Sequence, residues 1–425
     1  MKIYEMGEVP KTIMMRAKTD VDSVKESVGE TIKNIRKNGD TALRKYTEKF
    51  DRVLIEDFKT SEDEIREAYE EIDPLVLEKI KEQIEYSKKF ASADKKNLKE
   101  EWSVQLGEGI EGGLKLTPIE SVGLYVPGGK NPFPTVMQIL AIPAKIAGVE
   151  KIVACTPPQK DGKILAEVLV AADLCGVDEV YKMGGAQAVA AFAYGTESVP
   201  KVLKVVGPGN PYVTAAKLLC FGEIGIDMPA GPSEALIIAD EGATPSWLAA
   251  DILARAEHGP DSAAVLVTWK REIAEKTLEE VGRQKKERSR QEYIETALEK
   301  YCAVVLVKDL REAVDFANEY APEHLELQVE SPREILPLIN NAGSVFLGYY
   351  NPVAVGDYAS GVNHILPTGQ WAKMFSPVSV ETFMKRVQFS YVNKTGLEKL
   401  KGIVDTIADI EGLDAHRESV DIRLR

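Results

Sequence analysis

"SVGLYVPGGKNPFPTVMQILAIPAKIAGVEKIVACTPP", residues 121–158, reads as an apolar strand, a glycine turn, an amphipathic helix and a second apolar strand. The unit repeats. "KIVACTPP" leads to "GKILAEVLVAADLCG", "EVYKMGG" to "AQAVAAFAYG", and "KVLKVVGPGN" to "PYVTAAKLLCFG". Strands that are apolar on both faces and alternate with helices predict a parallel sheet covered on both sides. Ligands of such sheets collect at the carboxyl ends of the strands. Asn210 before Pro211 marks one helix start, a capping side chain followed by a residue with no N–H to satisfy.

The alternation resumes after residue 235. Strand "EALIIAD", helix "TPSWLAADILARAEHG" and strand "AAVLVTW" come first, then charged helices to about residue 300. Strand "AVVLV", helix "LREAVDFANEYA" and strands "HLELQV" and "SVFLG" complete a second α/β unit. Before residue 118 the chain is charge-rich, with apolar positions every three or four residues, which predicts helices. Beyond 370 the pattern is an amphipathic helix and a charged tail, too short for a core of its own. The expected division is therefore 1–117, helical and packed on the first α/β unit; 118–232; 233–370; and 371–425, a helical tail reaching another domain or subunit.

At 425 residues the chain has room for two or three domains with a cleft between them. With 44% apolar and 28% charged residues it reads as globular. No apolar stretch approaches the ~20 residues of a bilayer span, so no membrane partner is expected. The start, "MKIYEMGEVPKT", lacks a signal-peptide apolar core, and the expected location is cytoplasmic. A net charge of −14 argues against a nucleic-acid partner, and "RQKKERSR" (283–290) reads as a solvated helix end. Four cysteines, Cys155, Cys175, Cys220 and Cys302, show no zinc-finger spacing and are expected as reduced, buried thiols.

The four histidines all sit among glycine, proline and acid residues: "RAEHGPDS" (His258), "YAPEHLEL" (His324), "SGVNHILPT" (His364) and "EGLDAH" (His416). In "TPSWLAADILARAEHGPDS", Thr244 is the expected N-cap, Pro245 takes the first turn, and Gly259-Pro260 ends the helix. Asp251, Arg255 and His258 then share one helical face, where His258 is either a cationic cap or a metal ligand. Asp357 and His364 fall in a glycine-punctuated loop, a metal half-site or an Asp-supported turn. Glu323 beside His324 is an acid-base couple if a distorted backbone lets both enter one cleft, and Pro322 biases Ala321 away from helix. Glu411, Asp414 and His416 read as surface. The usual G-x-G-x-x-G fingerprint is missing, but the turns "VPGG" (126–129), "GGAQ" (184–187) and "GPGN" (207–210) can let backbone approach phosphate.

The ordered series "GLYVPGG", "GGAQA", "GPGNPYV", "AGPSEALIIAD", "AEHGPDS", "APEHLEL", "GDYASGVNHILPT" and "EGLDAH" resembles the histidinol dehydrogenase family over nearly the full chain. The resemblance implies two incomplete Rossmann-like parallel-sheet domains with small helical N- and C-terminal elements, assembled as an intertwined homodimer. It implies an NAD-linked, zinc-dependent oxidation of L-histidinol through histidinal to L-histidine. Carried over by residue, it implies Glu323 and His324 as the acid-base pair and His258, Asp357 and His416 as zinc ligands. Ser233, His364 and Glu411 would contact substrate together with His324, Arg255 and the zinc-ligand positions His258, Asp357 and His416. Tyr125, Gln187 and Asn210 would face the cofactor in the 118–232 unit, with the chemistry in the 233–370 unit.

Two positions depart from the family pattern. Arg255 stands where a glutamine zinc ligand is usual, and arginine has no lone pair to offer a metal. Val353 stands where the loop before "GDY" commonly carries glutamate. One change adds a positive charge and the other removes a negative one. Both favour an anionic ligand over the cationic histidinol. An alternative expectation is thus a paralogue that oxidises another, anionic primary alcohol with an altered or absent zinc site. A further alternative is an inactive binding protein on the same fold.

Overall fold

The computed structural model describes residues 1–16, 20–128, 132–229 and 231–425. Gly129 of the first glycine turn and Ala230 of "AGPSEALIIAD" lie outside these residues. The strands, in chain order, are β1 Lys2–Glu5, β2 Glu101–Gly107, β3 Ile110–Pro118, β4 Ser121–Tyr125, β5 Lys151–Thr156, β6 Glu179–Lys182 and β7 Lys204–Val206. They continue with β8 Gly225–Ile226, β9 Glu234–Ala239, β10 Ala263–Thr268, β11 Ala303–Leu306, β12 His324–Gln328, β13 Ser344–Leu347 and β14 Met384–Val392.

Two wholly parallel sheets result. The first has the order β6-β5-β4-β7-β8 and the second β1-β11-β10-β9-β12-β13. Apart from β1, each follows the order 3-2-1-4-5 of its own strands, a doubly wound sheet lacking its sixth strand. Their central strands are buried on both faces: Leu236, Ile237 and Ile238 of β9 are fully buried, as are Val122 and Leu124 of β4. Each such side chain contributes about 1.5–3 kcal/mol of burial, which is why both faces must carry helices.

The two ends of the chain are less helical than their composition predicts. β1 leaves the N-terminal region and pairs in parallel with β11, Lys2 opposite Ala303. β2, β3 and β14 form a separate antiparallel sheet in the order β14-β3-β2. Its signal is a period of two in "WSVQL" and "VQFSY", where Trp102, Val104 and Leu106, and Val387, Phe389 and Tyr391, all stand exposed. The flanking helical periodicity of Pro74–Asn97 and Lys394–Glu411 masks it.

Helix starts follow the expected chemistry with one exception. The Asn210 side chain accepts from the N–H groups of Tyr212 (3.0 Å) and Val213 (3.1 Å). Thr244 occupies the N-cap of helix Pro245–Ala256, but its side chain makes no capping bond, leaving Pro245 to set the first turn. That helix ends at Ala256, three residues before Gly259. All four cysteines are free and buried. Among the described residues no helix is long and apolar enough to cross a membrane.

Candidate active site

Glu323 and His324 sit at the amino edge of the second sheet. His324 opens β12, paired with Ala235 of β9, and Glu323 precedes it. Ala321 ends helix Leu310–Tyr320 in the left-handed region (φ 49°, ψ 67°), and Pro322 then redirects the chain. This local break brings both side chains inward: Glu323 is 8% and His324 2% exposed. Their Oε2 and Nδ1 atoms lie 3.3 Å apart, although strand neighbours ordinarily face opposite ways.

Two further segments reach this edge. Helix Pro245–Ala256 runs antiparallel to the strands and delivers Arg255 in its last turn. The short helix Val353–Tyr358 delivers Asp357, which therefore lies on a helix rather than in the expected loop. Ser233 Oγ donates to Glu323 Oε2 (3.0 Å) and accepts from Arg255 Nη1 (2.5 Å). Arg255 Nη2 lies 3.3 Å from Asp357 Oδ2, and His324 Nε2 lies 3.5 Å from Asp357 Oδ1. Glu323 Oε2 also accepts from the Glu234 N–H (2.9 Å), and His324 Nδ1 lies 3.0 Å from the Glu234 carbonyl oxygen.

The charges follow from these contacts. Burial opposes ionisation of Glu323, but His324 and Arg255 outweigh it and hold the carboxyl below its ordinary range. Burial likewise opposes a charged His324, yet Glu323 and Asp357 raise it to about 9. Asp357 is held well below the carboxylate range by His324 and Arg255 despite its burial. Loss of hydration, then the Arg255 charge, pushes His258 down to about 4. His258 itself is exposed at the rim, beyond the end of its helix at Ala256. Desolvation also lowers His364 to about 4.

Behind the pair lies a scaffold that the sequence reading missed. Arg16, 6% exposed, forks onto Glu234 through Nε and Nη2 at 2.5 Å each. The same guanidinium donates to the carbonyls of Tyr320 (2.7 Å) and Ala321 (3.2 Å), clamping the turn that aims Glu323. Glu234 in turn accepts from the Glu323 N–H (3.1 Å). Its signal was a carboxylate opening the otherwise apolar run "EALIIA", which requires a buried partner. Half-buried Asp251 and buried Glu326 form a second acid pair, bridged by Gln328 Nε2 at 2.8 and 2.7 Å. Burial, then Glu326, pushes Asp251 up to about 8. Glu326 Oε1 accepts from the Val353 N–H (3.0 Å), tying this pair to the helix that carries Asp357.

Tyr125, Gln187 and Asn210 come together elsewhere, lining a cavity of about 740 Å³ at the carboxyl edge of the first sheet. Gly185 donates its N–H to the Tyr125 hydroxyl (3.1 Å) and holds φ 63°, where an added Cβ would lie 2.7 Å from Gln187 Oε1. Gly207 is similarly confined, since a Cβ there would lie 2.1 Å from the Tyr125 carbonyl oxygen. Asp51 also lines this cavity, and burial raises its carboxyl to about 6.

Glu411 and His416 are not brought to either place. They are exposed on helices Lys394–Glu411 and Asp414–Leu424 of the tail. Zinc does not fit the residues that one copy of the chain assembles, because the Arg255 cation already holds Asp357. Of the three ligands the resemblance implies, Asp357 is paired with Arg255 and His416 stands on the tail. Among the described residues no three His, Cys, Asp or Glu side chains are placed to hold a metal.

Two Rossmann-like sheets, one opening onto a cavity of about 740 Å³ and the other carrying the buried Glu323–His324 contact, have the architecture expected of an oxidoreductase. Comparison with known proteins makes this specific. Residues 14–424 match the histidinol dehydrogenase family, and the chain belongs to it. A histidinol dehydrogenase of Methanothermobacter thermautotrophicus is 48% identical over 413 residues, 97% of this chain and 96% of its own. One from Methanocaldococcus jannaschii is 45% identical over 428 residues, covering 100% of this chain and 98% of its own. The crystal structure of histidinol dehydrogenase from Elizabethkingia anophelis superposes with a TM-score of 0.94 at 36% identity, covering 100% of this chain and 98% of that one.

Proposed function

We propose that the chain oxidises L-histidinol through L-histidinal to L-histidine, two hydrides leaving in turn for NAD. The observation that carries this reading is the buried contact of Glu323 with His324, backed by Asp357. Neutral His324 takes the alcohol proton as the first hydride departs. Glu323, ionised and held by Ser233 and the Glu234 N–H, takes a proton from the water that hydrates the aldehyde. The resulting gem-diol loses the second hydride and leaves as a carboxylate. Tyr125, Gln187 and Asn210 hold the cofactor in the 118–232 unit, while Ser233, Arg255, His258, Asp357 and His364 surround the substrate in the 233–370 unit. Zinc is given no step.

The working form is a cytoplasmic homodimer. Exposed Ile403, Ile407, Ile410 and Leu413 on the tail, with the open faces of β2 and β14, support a paired surface. Such pairing carries Glu411 and His416 of the tail to the partner's site.

A second reading rests on Arg255 and on Val353, buried at the start of the Asp357 helix where the family commonly has a carboxylate. It keeps the same chemistry but takes a primary alcohol bearing an anionic group. The test is NADH formed per molecule of limiting substrate. Two NADH per L-histidinol supports the first reading; none with histidinol, but two with an anionic primary alcohol, supports the second. Under either, Glu323→Gln spares the first oxidation and blocks the second, and equal loss of both rejects the assigned roles.

A further inference from the structure

Arg255 is 5% exposed, far below what a surface-seeking arginine shows, and its guanidinium points into the acid-base cluster. It stands in the last turn of helix Pro245–Ala256, where unpaired carbonyls carry partial negative charge and favour a cation. Nη1 meets Ser233 and Nη2 meets Asp357. The third donor, Nε, is buried without a hydrogen-bond partner, and His324 Nε2 in the same cluster has only the Asp357 carboxylate, 3.5 Å away. Buried N–H groups are rarely left so unless a ligand supplies the acceptor.

A divalent ion here would need Asp357, which already faces a cation that cannot be deprotonated. It would also meet the repulsion of that cation across a short, poorly hydrated gap. The oxygen chemistry that a metal supports in alcohol oxidation needs only a fixed positive charge beside the reacting carbon. Alkoxide, gem-diolate and product carboxylate all place a charged or polarised oxygen there, and a guanidinium binds each by charge-assisted hydrogen bonds.

We propose that Arg255 replaces the divalent metal in this chain: it fixes Asp357 and donates its free Nε–H to the oxygen on the reacting carbon, so that oxidation is metal-independent. The inference rests on alcohol oxidation at Glu323 and His324 and holds for either substrate reading.

The test measures zinc and turnover separately on the full-length protein. Zinc titration is followed by calorimetry, bound zinc by elemental analysis, and NADH formation before and after exhaustive dialysis against EDTA. Wild type is expected to take up no zinc and to keep its turnover through EDTA. Arg255→Gln restores an oxygen donor beside His258 and Asp357, so it should gain stoichiometric zinc, and without metal its turnover should fall about 10²–10³-fold. Arg255→Lys keeps the charge and loses the fork; it should stay zinc-free with reduced turnover, and it serves if the glutamine variant does not fold. Stoichiometric zinc in wild type, removed by EDTA together with turnover, overturns the proposal. So does zinc uptake by Arg255→Lys, or unchanged metal-free turnover in a folded Arg255→Gln. If no alcohol is oxidised at all, the functional reading falls, while the zinc titrations still judge Arg255.

Discussion

The two parallel sheets share one strand order but use opposite edges. The first opens its cavity at the carboxyl ends of its strands, where Tyr125 closes β4, Gly185 follows β6 and Asn210 follows β7. The second builds its cluster at the amino ends, before β9 and at the start of β12. Helices covering a parallel sheet run against the strands, so the carboxyl edge meets helix N-termini and the amino edge meets helix C-termini. The first edge offers backbone N–H groups and suits a phosphate-bearing cofactor. The second offers carbonyls, and there the chain concentrates Arg255, Arg16 and a charged His324. The same fold thereby provides an anion-seeking face and a cation-holding face.

Arg16→Ala should damage the amino edge most, because it strands Glu234 in the interior without a counter-charge. A loss of about 3–5 kcal/mol in denaturant unfolding is expected. Wild-type stability in this variant would mean that the edge does not depend on its buried fork. The next largest effect is on rate. With His324 raised to about 9, its neutral, proton-accepting form is scarce at pH 7. The rate of the first oxidation should climb about tenfold per pH unit and level off above about 9, and a flat profile from pH 6 to 9 would remove His324 as the base.

Gly185→Ala tests whether the edges are separable. It forces a side chain into the left-handed region against Gln187, so NAD should bind about tenfold more weakly while alcohol saturation is unchanged. Equal damage to both would join the edges into one site. The smallest effect concerns Asp251. Its folded value, about 8, exceeds the ordinary 3.8, so the folded state holds an extra proton between these limits. Its contribution is complete below about pH 4 and lost by about pH 8. Melting temperatures at pH 5 and 8 should therefore lie closer together in Asp251→Asn than in wild type.

Both sheets were legible because burial on two faces writes continuous apolar runs into β4–β7 and β9–β13, and because Asn210 and Pro245 announce their helices. The members of the Glu323–His324 couple were legible as residue types, but their shared cleft depends on the left-handed Ala321, a tertiary result of the Arg16 clamp. Arg16 itself could not be read: a lone arginine in "TIMMRAK" has no periodicity, and its partner lies 218 residues away. The rule that ligands gather at carboxyl ends points to the cavity of the first sheet, whereas the polar cluster of the second forms at its amino ends. Nothing in a strand's own composition states which end faces the chemistry. The inward turn of Arg255 was equally hidden, since a helix-terminal arginine is usually solvated.

β1 gives the molecule a particular order of assembly. Lys2–Glu5 finds its partner only when β11 exists, at Ala303–Leu306, and Arg16 needs Glu234 and the Tyr320 turn. During synthesis the first sheet can close on local β-α contacts while the N-terminal strand waits, unpaired, for most of the chain to emerge. The β1 edge of the second sheet is its long-range contact, and the chain entropy of closing so long a loop sets it apart from the local pairings of β9 to β13. The Glu323–His324 contact therefore rests on a clamp that ties the start of the chain to residues more than 200 positions later.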